Sequence, residues 1–349
     1  MSPKTDLQSV ISDPQWLPSR WEQREGVLQF VRLSRKQHGE FTFLADEYLG
    51  PVGLPTVTAK TEELLAATAG KQPPAHFIFH SAFCCSTLIA RALDVPGAAM
   101  ALKEPQILNA LAGAARAQRL NADVFGLVVN LLSRPFAPRE RIVIKPSNVV
   151  NLLAPALIGA NEGARAIFLY APLPRFLGSI AGKGLWGRRW ARRLYAQLLG
   201  DTGVQFGFPD SEQFELSDLQ VAALAWLMHH AQGAALVGQF PSRVRTLDSE
   251  TFLAARGQTL EALARHFQLE LSREQAEAIA RGPVFATHSK ELGRSVDPEQ
   301  PLQSPASSAV IDEEIRMVVE WTRTVAEHIG SPIDFPPSSR LAVADRIGS

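Results

Sequence analysis

Cysteine is almost missing from this chain of 349 residues: there are two, Cys84 and Cys85, and they are adjacent. Neighbouring residues do not close an ordinary structural disulfide, and two adjacent thiols do not surround a metal as a tetrahedral zinc site requires. Charge of one sign is not in excess either. The 35 Lys and Arg cancel the 35 Asp and Glu, which removes the electrostatic footprint of a nucleic-acid binder or an acidic tail. No run of about eighteen apolar residues occurs, and the opening stretch MSPKTDLQSVISDPQWLP has no hydrophobic signal core. A cytoplasmic protein without a membrane span is therefore expected. Internal repeats are absent as well.

What is there centres on His76 to Leu93, HFIFHSAFCCSTLIARAL. Phe77, Ile78 and Phe79 form a short apolar run of the kind that makes a buried strand. Ser86 to Leu93 has helical spacing, with Ile89, Ala92 and Leu93 on one face. The loop between holds small or polar residues, Ser81, Ala82, Cys84, Cys85 and Ser86, interrupted by Phe83. A strand that feeds a helix through such a loop aims backbone N–H groups and the positive end of the helix dipole at one spot. Ser86 and Thr87 add hydroxyl donors, and the expected occupant is a phosphate or phosphosulfate group. The loop of the nucleotide triphosphatases, GxxxxGK followed by Ser or Thr, is not met. His80, Cys85 and Ser86 stand at its glycines and lysine, and only Thr87 fits. Hydrolysis of ATP or GTP by that device is not expected.

Residues 1–70 read as an extension. Trp16, Trp21, Val27, Leu28, Phe30 and Val31 predict a short strand or two laid on the main domain, Glu40 to Tyr48 a further mixed segment, and Thr61 to Ala69 a helix. The region is read as packing or a partial lid. Further strands are predicted at Ala98 to Leu102, ending in Lys103-Glu104-Pro105, at Arg141 to Ile144, ending in Lys145, and at Ala166 to Tyr170. Helical spacing follows each, including Gln106 to Leu120 and Ala122 to Ser133. Such alternation predicts an α/β domain over 71–330, a parallel sheet with helices on both faces, followed by a partly mobile tail over 331–349. Residues at the carboxyl ends of parallel strands face the ligand crevice, which singles out Lys103, Glu104 and Lys145.

Gly182 to Leu199 carries Lys183, Arg188, Arg189, Arg192 and Arg193. They read either as a solvated helix face, with Trp186, Trp190, Leu194 and Leu198 inward, or as cations serving the anion site. Gly182 and Gly184 give the segment hinge-like freedom. Leu216 to Val237 is a long apolar helix capped by Ser217, with His229 and His230 as packing residues rather than metal ligands. Pro298, Pro301 and Pro305 mark a loop before a last helix, Ser307 to Ile329.

Cys85-Ser86-Thr87-Leu88 resembles the second half of the 5′-phosphosulfate loop of the sulfotransferases, with Phe83 at the family's basic position and Cys85 at its glycine. The resemblance extends from about His76 to Trp321, is nearest to bacterial members, and has divergent phosphate-binding motifs. Ser179 matches the serine of the 3′-phosphate motif; Ala171 stands at its arginine, and Arg175 lies one helical turn before Ser179. Glu104-Pro105 reproduces a Glu-Pro of bacterial members. Lys145 matches the lysine that ends the third strand, with Ser147 where the family has a catalytic histidine. Arg245 to Leu253 is similar to the strand with an acidic box, Leu260 to Phe267 to the helix after it, and His288-Ser289-Lys290 to a late basic loop.

The resemblance implies a three-layer P-loop-type fold and transfer of a sulfuryl group from 3′-phosphoadenosine-5′-phosphosulfate (PAPS) to a hydroxyl or amine of a small molecule. The implied cradle is Ala82, Phe83, Cys84, Cys85, Ser86 and Thr87. Lys145 is the implied cation, with Lys103 second; Glu104 or His80 is the base. Arg175 and Ser179 would hold the 3′-phosphate, and Lys290 would lie over the nucleotide. No metal is implied. Two alternatives stay open: a nucleotide- or anion-binding protein of the same fold without turnover, and a small-molecule kinase, which lacks the loop lysine.

Overall fold

The computed structural model describes residues 6–68, 70–286 and 309–343. Near the start, β1 (Trp16–Glu22), β2 (Val27–Arg32) and β3 (Thr56–Lys60) form an antiparallel sheet in the order β1-β2-β3. The third strand is not among those expected. Its residues, TVTAK, are half or fully exposed throughout, so it has no apolar run to announce it.

The main sheet consists of β4 (His76–His80), β5 (Ala99–Lys103), β6 (Arg141–Lys145), β7 (Ala166–Tyr170) and β8 (Val244–Asp248). All pairings are parallel and the order is β5-β6-β4-β7-β8. The α/β class and the helix-covered parallel sheet are as expected. Every residue of β4 and β5 is buried, because helices cover one face and the extension with further helices covers the other. Strands buried on both faces read as continuous apolar runs rather than alternating ones. Alternation still decides which layer each residue joins. Ile78, Ala101, Val143 and Ile167 pack on one side, Phe77, Phe79, Met100, Ile144 and Phe168 on the other.

Helix α1 (Ser86–Leu93) follows β4, and α2 (Ile107–Arg116) and α3 (Ala122–Leu132) follow β5. After β7 come α4 (Leu173–Gly182) and α5 (Gly184–Thr202). The chain turns at Lys183 and at Gly184, whose φ of +57° is open to glycine without strain. Helix α6 (Asp218–Gln239) starts on a capping box between Ser217 and Gln220. It lies so close to β7 that a methyl group on Gly233 would meet the Phe168 ring at 2.7 Å. Helices α7 (Arg256–Phe267) and α8 (Ala309–His328) complete the layer. The loop prolines 298, 301 and 305 lie outside the described residues. Among the described residues no helix is long and apolar enough to cross a membrane.

Segments before and after the main sheet hold its edges. Arg134 is buried and its guanidinium donates to the carbonyls of Val10, Ile11 and Trp16, tying the segment before β1 and the start of β1 to the turn after α3. Leu44 N donates to Lys103 O at 2.7 Å, and Arg35 reaches Ala99 O at 2.9 Å, so the extension runs along β5. At the opposite edge Arg340 bridges to Thr246 of β8, and Leu341 N donates to Thr246 O at 2.8 Å. Phe335 is buried against Phe168, Tyr170 and His230.

Candidate functional site

From β4 the chain runs out to β5, returns through β6 and then crosses to β7 and β8 on the other side. The direction of progress thus reverses across β4, and in open parallel sheets ligands bind outside the carboxyl ends at such a point. The loop Ser81 to Cys85 leaves β4 there. Ala82, Phe83 and Cys85 have φ of +72°, +49° and +63°. Each non-glycine residue in the left-handed region costs roughly 1–2 kcal/mol, so the fold imposes this loop shape against local preference. Successive residues near left-handed geometry form a concave nest of amides. Cys85, where the resemblance has glycine, takes the left-handed turn that glycine would make easily, and stands at the N-cap of α1 without a side-chain capping bond. The first-turn amides of α1, Ser86 to Leu88, have no acceptor inside the helix.

Two hydroxyls finish the loop. Ser81 Oγ and Thr87 Oγ1 are buried, and neither has a hydrogen-bond partner among the described residues. A buried hydroxyl left unpaired costs about 1–3 kcal/mol. Both donors flank the start of α1, where an oxyanion is favoured by the helix dipole. The 5′-phosphosulfate end of PAPS fits this donor set.

His80 is buried at the mouth of the loop. Its Nδ1 accepts from Ala82 N at 3.1 Å, and Nε2 lies 3.0 Å from Pro146 O. A carbonyl takes only a donor, so Nε2 carries the proton and the ring bridges the loops after β4 and β6. Proton abstraction by His80 would first require Ala82 N–H to let go of Nδ1.

One strand over, Lys145 Nζ is hydrogen-bonded to Glu104 Oε1 in an ion pair. The lysine is buried, and the carboxylate keeps about a quarter of its surface open, at 24%. Glu104 has φ of +51°, and its amide donates to Lys145 O at 2.7 Å. The extension roofs the pair. The Phe43 ring lies 5.2 Å from Lys145 Nζ, and Tyr48 packs edge-on against Phe43. Burial raises the Tyr48 pKa, and the charges of Glu47 and Glu104 push the same way. Lys103 leaves the crevice. It is buried, donates to Gly39 O at 2.7 Å, and burial lowers its pKa to about 8, partly offset by Asp94.

Ser179 and Arg175 lie half-buried on α4, where Ser179 Oγ donates to Arg175 O at 2.9 Å. That helix abuts the loop, with the Phe176 and Phe83 rings 6.0 Å apart. Ala171 is fully buried, its carbonyl accepting from Trp226 Nε1 at 2.8 Å. Lys290, with His288 and Ser289, lies outside the described residues.

The basic stretch divides into two uses. Arg192 pairs with Asp218 at 2.5 Å, and Arg188 lies 3.8 Å from Asp218 and 4.0 Å from Glu314; both tie helices together. Lys183 instead holds Nζ 5.5 Å over the Phe83 ring and 5.7 Å from Trp186. Trp190 meets Phe83 edge-on at 4.9 Å.

Sequence reasoning missed a buried polar cluster beneath these loops. Asn148, Asn151 and Gln232 surround the His229 ring at 3.1–3.2 Å, and Asn151 also donates to His80 O. Burial lowers the His229 pKa to about 4, so the ring is neutral near pH 7. Asn148 and Asn151, three apart after Lys145-Pro146, were the only local signal.

No protein-family model matches the chain, and no curated protein matches it. Among solved structures it is similar to the sulfotransferase domain from the curacin biosynthetic pathway, at 16% identity and a TM-score of 0.41, over 76% of this chain and 100% of that one. It is also similar to a sulfotransferase from Alicyclobacillus acidocaldarius, at 13% identity and a TM-score of 0.41, over 74% of this chain and 97% of the other.

Proposed function

We propose that the protein transfers a sulfuryl group from PAPS to a hydroxyl or amine of a small molecule. The observation that carries this reading is the pair of buried, unpartnered hydroxyls, Ser81 Oγ and Thr87 Oγ1, flanking the strained loop. PAPS, when bound, supplies the activated sulfur and a phosphate leaving group.

The chain's own residues then have distinct work. Ser81, Thr87 and the first-turn amides of α1 hold phosphosulfate oxygens and orient them. Glu104 takes the proton of the acceptor hydroxyl or amine as its lone pair forms the new bond to sulfur. The bridging S–O bond breaks in the same step, and the electron pair leaves on the phosphate oxygen. Lys145 steers the Glu104 carboxylate and offers positive charge beside that developing anion. Arg175, one turn into α4, reaches for the nucleotide's 3′-phosphate.

A second reading, anion or nucleotide binding without turnover, is favoured by Phe83 and Ala171 at positions where the sulfotransferases carry cations. Titration calorimetry with 3′-phosphoadenosine-5′-phosphate, followed by a sulfate-transfer assay over hydroxyl and amine acceptors, separates the two. Binding with transfer is expected. Binding without transfer supports the second reading, and binding of ATP in place of the adenosine bisphosphate points to a kinase.

A further inference from the structure

We infer that Lys183, from the turn between α4 and α5, supplies the loop's missing positive charge. The inference rests on the anion-binding reading of the loop. Phe83 occupies the position where that loop would carry a cation, and its left-handed backbone directs the ring into contact with Phe176 and Trp190. The ring becomes a platform. Lys183 Nζ stands over it and beside Trp186, 5.5 and 5.7 Å from the two centroids. An ammonium held by two aromatic faces is attracted by both ring quadrupoles and loses fewer degrees of freedom when an anion arrives.

The alternative use of Lys183 is as a charge at the end of α4, where cations offset the helix dipole. Its neighbours argue for more. Among the described residues it has no carboxylate partner, while Arg188 and Arg192 on the next turns of α5 both have one. It is exposed, so the ammonium stays accessible to a ligand. The Gly184 turn, which ends one helix and begins another, sets the lysine facing the loop instead of continuing the solvent face of α5. The positive charge has moved from the loop to a neighbouring helix turn, and an aromatic ring fills the space it left.

The test measures affinity for 3′-phosphoadenosine-5′-phosphate by calorimetry at several salt concentrations, in wild type, Lys183→Gln, Lys183→Arg and Arg189→Gln. Lys183→Gln should weaken binding about tenfold or more, the scale of one charge-assisted contact, and should flatten the salt dependence. Lys183→Arg should stay within about threefold of wild type, and Arg189→Gln, also exposed on α5, should match wild type. Thermal midpoints should agree across all four, because both positions are exposed. Binding by Lys183→Gln equal to wild type overturns the inference while leaving the loop reading intact, as does an equal loss in Arg189→Gln. No binding by wild type overturns both.

Discussion

Lys103 and Lys145 are register partners at the carboxyl ends of adjacent strands, yet their ammonium groups end in different places. Lys103 is turned to the Gly39 carbonyl under the N-terminal extension, and Lys145 to the Glu104 carboxylate at the rim of the crevice. The difference separates a structural lysine from a candidate catalytic one. Lys145→Met is expected to lower the sulfate-transfer rate about 100- to 1,000-fold, the range for losing one preorganised electrostatic group. Its affinity for the adenosine bisphosphate should change only severalfold. Lys103→Met should leave the rate unchanged. Single-turnover transfer rates set beside calorimetric affinities check both.

Thr87 should trade stability for binding. Thr87→Val keeps the shape of the side chain and removes a buried, unpaired hydroxyl. The ligand-free protein is expected to gain about 1 kcal/mol, with affinity for the adenosine bisphosphate down about tenfold. Urea unfolding and calorimetry on the same preparation read the two effects, and a change of the same sign in both would refute the assignment.

Cys85 makes the loop's backbone testable. Glycine at this position relieves the left-handed strain and adds entropy to the unfolded chain, two effects of about 1 kcal/mol that oppose each other. Cys85→Gly should therefore unfold within about 1 kcal/mol of wild type and bind the nucleotide normally. Cys85→Val, β-branched and hostile to φ of +63°, should lose about 2 kcal/mol or more. Denaturant midpoints distinguish the two.

Acid sensitivity should come from buried neutral histidines. Burial lowers the pKa of His230 to about 3, with the neighbouring His229 adding to it, and His38 and His76 are lowered to about 3 as well. An unfolded histidine titrates near 6.5, so the folded state binds fewer protons below that value. The stabilisation is fully present above about pH 6.5 and is lost as the pH falls toward 3. His230 is fully buried and stacks on Trp226 at 3.6 Å. His230→Phe should therefore lose about 2 kcal/mol less than wild type between pH 7 and pH 5. Equal losses in the two proteins would count against it.

How much of this was legible in the sequence depended on burial. Phe77 to Phe79 and Ala166 to Tyr170 announced themselves because strands covered on both faces must be apolar at every position. The Ser86 start of α1 followed from helical spacing. Thr56 to Lys60 stayed invisible because an exposed strand needs only a partner, and the partner was more than twenty residues away in sequence. The strand-end positions of Glu104 and Lys145 were readable from the alternation, but not that they pair with each other or that Lys103 turns away. Five cations between Lys183 and Arg193 look alike in one dimension. Only the packing of Phe83, Trp186 and Trp190 separates Lys183 from the two arginines bound to Asp218. The His229 cluster joins residues about eighty positions apart, beyond the reach of any local pattern.

The strip of chain from Phe335 to Leu341 has an implication for handling the molecule. A parallel sheet that stops at an uncovered strand offers its free amides and carbonyls to any other extended chain, the usual seed of aggregation. Here the protein shields that border itself, with Phe335 as the anchor and the Thr246 contacts as the seal. Versions shortened before residue 335 would present β8 as a sticky rim, and their loss from solution would reflect self-association rather than damage to the crevice.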